Sequence, residues 1–193
     1  MGKILITFTF TFTILILIFY LIKTKSYFMK NEKVYTKAYS LAINYLNNVY
    51  IPEKAAVMFD IDDTLLYVKT NNTLVPIKPM IKLLKECLEN GLLVLIITAR
   101  DSRTRKETER DLYTNGITYS YLHLRESPQE DHHLFKANKK RELYQDYGIT
   151  TIMSIGDNLI DIEGEYSGYG IKLPNKEDPR LYHVNTSGKL VQT

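Results

Sequence analysis

The stretch Val57-Met58-Phe59-Asp60-Ile61-Asp62-Asp63-Thr64-Leu65-Leu66 joins an apolar run to three carboxylates within four residues. With Ala55 and Ala56 before it, the apolar part fits a buried strand of about four to eight residues bounded by polar signals. Asp60, Asp62 and Asp63 at its end repel one another, and a fold needs none of them. Such a cluster persists where it binds a cation, or where one acid is a nucleophile and another carries protons. The plainer alternative is an acidic turn, with Asp63 or Thr64 capping the next helix. Three later stretches weigh against that alternative.

Working outward, apolar residues at Val34, Ala38, Leu41, Ala42, Tyr45, Leu46 and Val49 predict a helix over 31–49. Residues 79–90 read as a second helix, with Pro79 near its start and Gly91 as its stop. The unbroken apolar run 92–97 predicts a strand covered on both faces, ending at Thr98-Ala99-Arg100. A charged helix over 102–114 stops at Gly116, and a weaker strand follows over 119–124. Residues 134–147 form a helix stopped by Gly148. A strand over 151–155 runs into Gly156-Asp157, and a short strand over 169–173 completes the set. Strands alternating with helices predict an α/β, doubly wound (Rossmann-like) parallel sheet of about five strands with helices on both faces. Ligands bind such sheets at the carboxyl ends of the strands. Asp60, Thr98 and Asp157 each lie just past a predicted strand, so they converge.

Two carboxylates from adjacent strands, Asp60 and Asp157, suit Mg²⁺ when joined by a backbone carbonyl and waters. Thr98 offers a hydroxyl and the first free amides of a helix to a phosphoryl oxygen. A lysine from the 134–147 helix adds positive charge against the charge that develops in phosphoryl transfer. Asp60 is placed to attack phosphorus. Asp62 is placed to protonate the leaving oxygen and then to activate water.

Taken in order, Asp60-Ile61-Asp62-Asp63-Thr64, Ile97-Thr98-Ala99-Arg100, a lysine, and Gly156-Asp157-Asn158-Leu159-Ile160-Asp161 resemble the four-motif series of haloacid-dehalogenase-superfamily (HAD) phosphatases. Within that superfamily the chain is most similar to the plant vegetative-storage-protein and bacterial class B acid phosphatases. Thr108-Glu109-Arg110-Asp111-Leu112, Gly116, Tyr121-Leu122-His123-Leu124-Arg125, Ile162-Glu163-Gly164 and Lys172-Leu173-Pro174-Asn175 carry that likeness. Phe135-Lys136-Ala137 resembles the group's Tyr-Lys-Ser, which selects Lys136 over Lys139 and Lys140. The likeness covers roughly residues 34–184. It implies Mg²⁺ at Asp60, the Asp62 carbonyl and Asp157, and phosphate contacts from Thr98, the Ala99 amide and Lys136. Asp161 would hold the lysine or metal waters, or stand solvated at a helix start. The chain departs from the group in having only 33 residues between Thr64 and Thr98. Residues 67–78 suffice for a loop or hairpin and not for a cap domain, so the cleft should be open and the cap minimal. Some relatives have lost the nucleophile, whereas Asp60 is present here.

Residues 4–22 hold no charge and lie between Lys3 and Lys23, close to the ~20 apolar residues of a membrane-spanning helix. No small-residue cleavage site follows, which favours an uncleaved single-pass anchor over a signal peptide. The expected organisation is an anchor at 4–22, a linker at 23–30, a phosphatase domain at 31–184 and a tail at 185–193. Signals for the side of the membrane conflict. Lys23, Lys25, Lys30 and Lys33 after the span would keep the domain cytosolic. The sequons Asn71-Asn72-Thr73 and Asn185-Thr186-Ser187 have meaning only in a secretory lumen. Lys3, Lys23 and Lys25 account for the formal +3, leaving 22 basic and 22 acidic residues; that balance argues against nucleic acid as a default partner. A lone cysteine, Cys87, can form no intrachain disulfide, and the sequence carries no signal of oligomeric state.

Other residues read as bystanders. His132 and His133 lack a third ligand at suitable spacing and fit a solvated pair. His123 reads as a strand residue near the surface, and Arg103 as a solvated helix residue. Arg100 is placed to reach a substrate phosphate, Arg125 follows the third strand near the cleft without an assigned role, and Tyr67 is placed to stack on a leaving group. The sequence thus predicts a Mg²⁺-dependent phosphatase of phosphate monoesters. The alternatives are a polynucleotide 3′-phosphatase, and a non-catalytic membrane-tethered binding or storage protein with a vestigial site.

Overall fold

In the computed structural model, which describes residues 32–68, 73–127, 129–185 and 188–193, the apolar run before Asp60 is β1 (Ala55–Phe59). The span predicted at 4–22, the linker at 23–30, Asn71, Asn72, Thr186 and Ser187 of the sequons, and the side chains of His132 and His133 lie outside the described residues. Among the described residues no helix is long and apolar enough to cross a membrane. The chain divides into two compact units, Met1–Val34 and Tyr35–Thr193. The second unit carries every described strand.

β1 is buried at every position because it sits in mid-sheet, between β4 (Leu93–Asp101) and β6 (Thr150–Gly156), parallel to both. With β5 (Tyr121–Arg125) beyond β4, and β7 (Tyr169–Lys172) beyond β6, five parallel strands run in the order β5-β4-β1-β6-β7. The chain leaves β1 toward β4 and β5, then returns to the other side for β6 and β7. The reversal places the ligand crevice at the carboxyl end of β1.

The sheet has seven strands rather than five. β8 (Tyr182–Val184) and β9 (Leu190–Gln192) add antiparallel to β7, so residues 190–192 of the expected tail are part of the sheet. A hairpin of β2 (Leu66–Val68) and β3 (Leu74–Pro76) follows the acidic turn and forms a separate two-stranded sheet. This hairpin occupies the stretch judged too short for a cap.

The four longer helices fall close to their predicted places, and a short one after β6 is one for which no range was predicted. They are α1 (residues 32–46), α2 (Lys78–Glu89), α3 (Arg105–Thr114, after a 3-10 turn at Ser102–Thr104), α4 (His132–Tyr147) and the short α5 (Leu159–Ile162). Alternate residues of the central strands, Ala56, Met58, Leu95 and Ile97, pack with Phe135 and Leu143 of α4 and with Ile149. The intervening residues Val57, Phe59, Val94 and Ile96 are equally buried, so both faces are covered, as a parallel sheet requires. α1 docks through buried Ala38 and Ala42, a stack of Tyr45 on Tyr169, and a hydrogen bond from the Tyr39 hydroxyl to Glu86 of α2.

Leu95 is fully buried at the centre of the cluster under α4. Leu95→Ala should destabilise the protein by about 2–5 kcal/mol. The measurement is a urea titration, in which the midpoint falls while the slope holds.

Candidate active site

Asp60 is the first residue past β1, and its amide donates to the Ile155 carbonyl of β6 (3.0 Å). Asp157 is the first residue past β6. Adjacent parallel strands therefore deliver the two carboxylates side by side. Immediately after Asp60 the chain folds tightly, with the Ile61 carbonyl accepting from the amides of Thr64, Leu65 and Leu66. Asp63 takes a left-handed conformation (φ 54°), which aspartate tolerates better than bulkier residues. The turn separates the acids: the Asp60 side chain is 8% exposed and that of Asp62 53%.

Lys136, in the first half of α4, enters the buried side of the site. Its Nζ donates to Asp60 Oδ1 (2.6 Å) and to Asp161 Oδ1 (2.5 Å), with all three residues out of solvent. Asp161 is thus a buried holder of the lysine, not a solvated helix-start residue. Its Oδ2 accepts from the Asn158 amide (2.8 Å), so both oxygens are engaged. Gly156 makes this packing possible, because a Cβ there would lie 2.1 Å from Asp161 Oδ2. Asn158 Nδ2 donates to Asp157 Oδ2 (2.9 Å), and Asn175 Nδ2 to the Asp157 carbonyl (2.8 Å), fixing the loop after β6.

Burial raises the pKa of Asp60, with Lys136 pulling it down and Asp161 pushing it up. Burial likewise raises Asp157 to about 6, with Asp161 adding to the rise. Burial opposes the charge on Lys136, but Asp60 and Asp161 outweigh it and lift its pKa above the ordinary lysine value. The site therefore holds more carboxylate than Lys136 neutralises. Oxygens of Asp60, Asp157 and Asp161 lie within 4.8 Å of one another. Because Asp161 is committed to Lys136 and Asn158, the pair open to a cation is Asp60 and Asp157. Hard oxygen donors gathered at strand ends, three carboxyl groups around one ammonium, fit a divalent cation.

Thr98 is buried on β4, but it does not begin a helix. β4 continues to Asp101, so free amides from a helix start do not explain a phosphate contact at Thr98 and Ala99. A shift in register replaces them. Thr98 pairs with Leu124 and Asp101 with Arg125, which leaves residues 99 and 100 out of that ladder. β4 pairs with β1 only as far as Ile96, so the Ala99 amide is outside both ladders.

Arg100 does not reach into the buried site. Its Nε and an Nη donate to the two oxygens of Asp62 (2.9 and 2.7 Å), and its other Nη donates to Asp111 Oδ2 (3.1 Å). The sequence named Arg100 but not this partner. The sequence presents Lys140 only as an alternative to Lys136. It is fully buried and donates to the carbonyls of Asp161 and Glu163 and to the Ser167 hydroxyl, tying the loop after α5 to α4. Arg103 is exposed and pairs with Asp101. His123 is half-buried on β5, its pKa lowered by burial and then by Lys139. Tyr67 pairs with Val75 in the hairpin.

The family model described as HAD superfamily, subfamily IIIB (Acid phosphatase) matches residues 67–178, which takes in Thr98, Lys136, Asp157 and Asp161 but begins after the Asp60–Asp63 turn. No curated protein matches the chain. Among solved structures, the class C acid phosphatase from Bacillus anthracis is similar at 19% identity and a TM-score of 0.54, covering 70% of this chain and 66% of that one. The same enzyme with tungstate bound aligns at 22% identity and a TM-score of 0.54, with the same coverage. A chain of the Pnkp1/Rnl/Hen1 complex aligns at 21% identity and a TM-score of 0.48, over 56% of this chain and 41% of its own. At these identities the acid phosphatase likeness is one of fold. This chain spans just under two thirds of that enzyme's length and less than half of the Pnkp1/Rnl/Hen1 chain.

Removing Lys136 would leave Asp60 and Asp161 buried without their counter-charge. Lys136→Met should destabilise the protein by about 3–5 kcal/mol. Chemical denaturation beside the unaltered protein measures it.

Proposed function

Because the chain belongs to subfamily IIIB of the HAD superfamily, the acid phosphatases, we propose that it is a Mg²⁺-dependent phosphatase of phosphate monoesters. The observation that carries this reading is the buried bridge from Lys136 to Asp60 beside Asp157. A carboxylate held by an ammonium group, at the mouth of a switch point, suits attack on a dianionic phosphoryl group.

Asp60 attacks phosphorus, the ester P–O bond breaks, and an aspartyl-phosphate forms. Asp62, at the exposed rim, gives its proton to the departing oxygen. It then takes a proton from water as the water attacks phosphorus and releases Asp60. Thr98, the Ala99 amide and Lys136 bind the phosphoryl oxygens, and Lys136 offsets their growing charge. Asp60, Asp157 and the Asp62 carbonyl would hold Mg²⁺. When bound, the ion neutralises phosphoryl charge and helps align the group for in-line attack. Asp161 keeps Lys136 in place and is not a metal ligand in this reading.

The stretch between the acidic turn and α2 carries the β2–β3 pair and is too short for a cap domain, which suits phosphate esters without demanding one leaving group. Residues 4–22 are proposed as a single-pass anchor that holds the domain at a membrane. Alkaline carbonate extraction of cell membranes should leave the full chain in the pellet; its release into the supernatant would refute the anchor.

The test of the activity is hydrolysis of an aryl phosphate by the full chain, with Mg²⁺ and with chelator, beside Asp60→Asn. Turnover should require both the metal and Asp60, with a loss of at least about 10³-fold in the variant. A folded protein with no turnover on several phosphomonoesters would leave the reading of a binding or storage protein.

A further inference from the structure

Among the described residues, Arg100 is the arginine whose fork closes on a proposed reacting group. Its Nε meets Asp62 Oδ2 at 2.9 Å and an Nη meets Asp62 Oδ1 at 2.7 Å, a two-point contact that fixes the plane of the carboxylate. The arginine is itself restrained from behind. Its second Nη donates to Asp111 Oδ2 (3.1 Å) and lies 3.4 Å from Thr108 Oγ1, both on α3. The Arg100 amide donates to Thr98 Oγ1 (3.3 Å), a local bond within β4. Asp62 needs such a holder. It lies in the turn past β1, its side chain is 53% exposed, and Arg100 is 17% exposed over it. Without a partner, an exposed aspartate on a turn samples several rotamers, whereas proton transfer requires one geometry.

We propose that Arg100 and Asp111 form a positioning chain running from α3 to Asp62, which aims the Asp62 carboxyl at the leaving-group oxygen. The proposal rests on the phosphatase reading above. It makes Arg100 a residue that acts through Asp62 and not a phosphate ligand. The two roles separate by leaving group. A proton from Asp62 matters greatly when an alkoxide departs and little when a nitrophenolate departs. Phosphate binding, in contrast, is common to both substrates.

The experiment measures kcat and KM of the full chain on glycerol phosphate and on p-nitrophenyl phosphate for Asp111→Asn, Arg100→Lys, Asp62→Asn and the double variant Arg100→Lys/Asp62→Asn. Asp111→Asn and Arg100→Lys should each lower kcat on glycerol phosphate by about tenfold or more, and on the aryl ester by less than about threefold. Arg100→Lys is included because it keeps the charge and loses the fork. In the Asp62→Asn background, Arg100→Lys should cost nothing further on glycerol phosphate. Thermal melts of the variants within a few degrees of the parent exclude loss of fold. Equal losses on both substrates, carried in KM, would overturn the proposal and make Arg100 a phosphate ligand. Additive losses in the double variant would also overturn it. A parent chain inert on both esters would sink the phosphatase reading itself, and the positioning chain with it.

Discussion

The buried bridge of Lys136 to Asp60 and Asp161 organises this molecule. A lysine out of water is tolerated only beside opposite charge, and two buried acids are tolerated only beside a cation. Each member therefore fixes the others, and each comes from a different part of the chain. Asp60 directly follows β1, Lys136 lies in α4, and Asp161 lies within the short α5 after β6. The bridge locks α4 across the carboxyl ends of the central strands. The apolar cluster of Met58, Leu95, Phe135 and Leu143 packs the same helix onto the sheet lower down. Core and site are thus held by one helix, through Phe135 and Leu143 against the strands and Lys136 at their ends.

Lys140 extends the same arrangement. One helical turn after Lys136, it reaches the Asp161 and Glu163 carbonyls and Ser167, whose own carbonyl accepts from Ser154 of β6. Burial lowers its pKa to about 7, with Asp161 opposing that fall. Two lysines four residues apart thus secure the two sides of one loop, Lys136 the carboxylate of Asp161 and Lys140 its backbone. The loop that carries Asp157 is held from the opposite side by Asn175. With the inner site pinned from α4, β6 and the loop after β7, the orientation of Asp60 and Asp157 is determined before any ligand arrives.

The parallel core was legible because β1, β4 and β6 are uninterrupted apolar runs that stop at polar residues. Their parallel arrangement, and with it the approach of Asp60 to Asp157, was expected from the alternation of strands with helices. β8 and β9 were not legible: Tyr182-His183-Val184 and Leu190-Val191-Gln192 are three-residue, partly exposed strands with no pattern of their own, defined by pairing with a neighbour. The extension of β4 was missed for a related reason. Thr98, Ala99, Arg100 and Asp101 read as the polar end of a strand, yet pairing with β5 carries the strand onward through a shift in register. Helical spacing could not choose among Lys136, Lys139 and Lys140, since residues three and four apart share a face. Resemblance chose Lys136, and the structure sends Lys139 outward to Glu142 while Lys136 and Lys140 point in. The Arg100–Asp62 contact was beyond sequence reasoning, because the partners are far apart in the chain and neither type demands the other.

The tight turn after β1 supplies the remaining constraint. Asp60 and Asp62 are two residues apart, and in a continuing strand both would face the same side with similar environments. The turn around the Ile61 carbonyl, closed by the left-handed Asp63, breaks that equivalence. It leaves Asp60 in the buried bridge and lifts Asp62 to the rim, under Arg100. A nucleophile benefits from a fixed, dehydrated seat, whereas a proton carrier must meet both the leaving group and water. Environment, more than residue type, separates such roles between like carboxylates. The left-handed Asp63 is therefore as much a part of the candidate site as the acids before it.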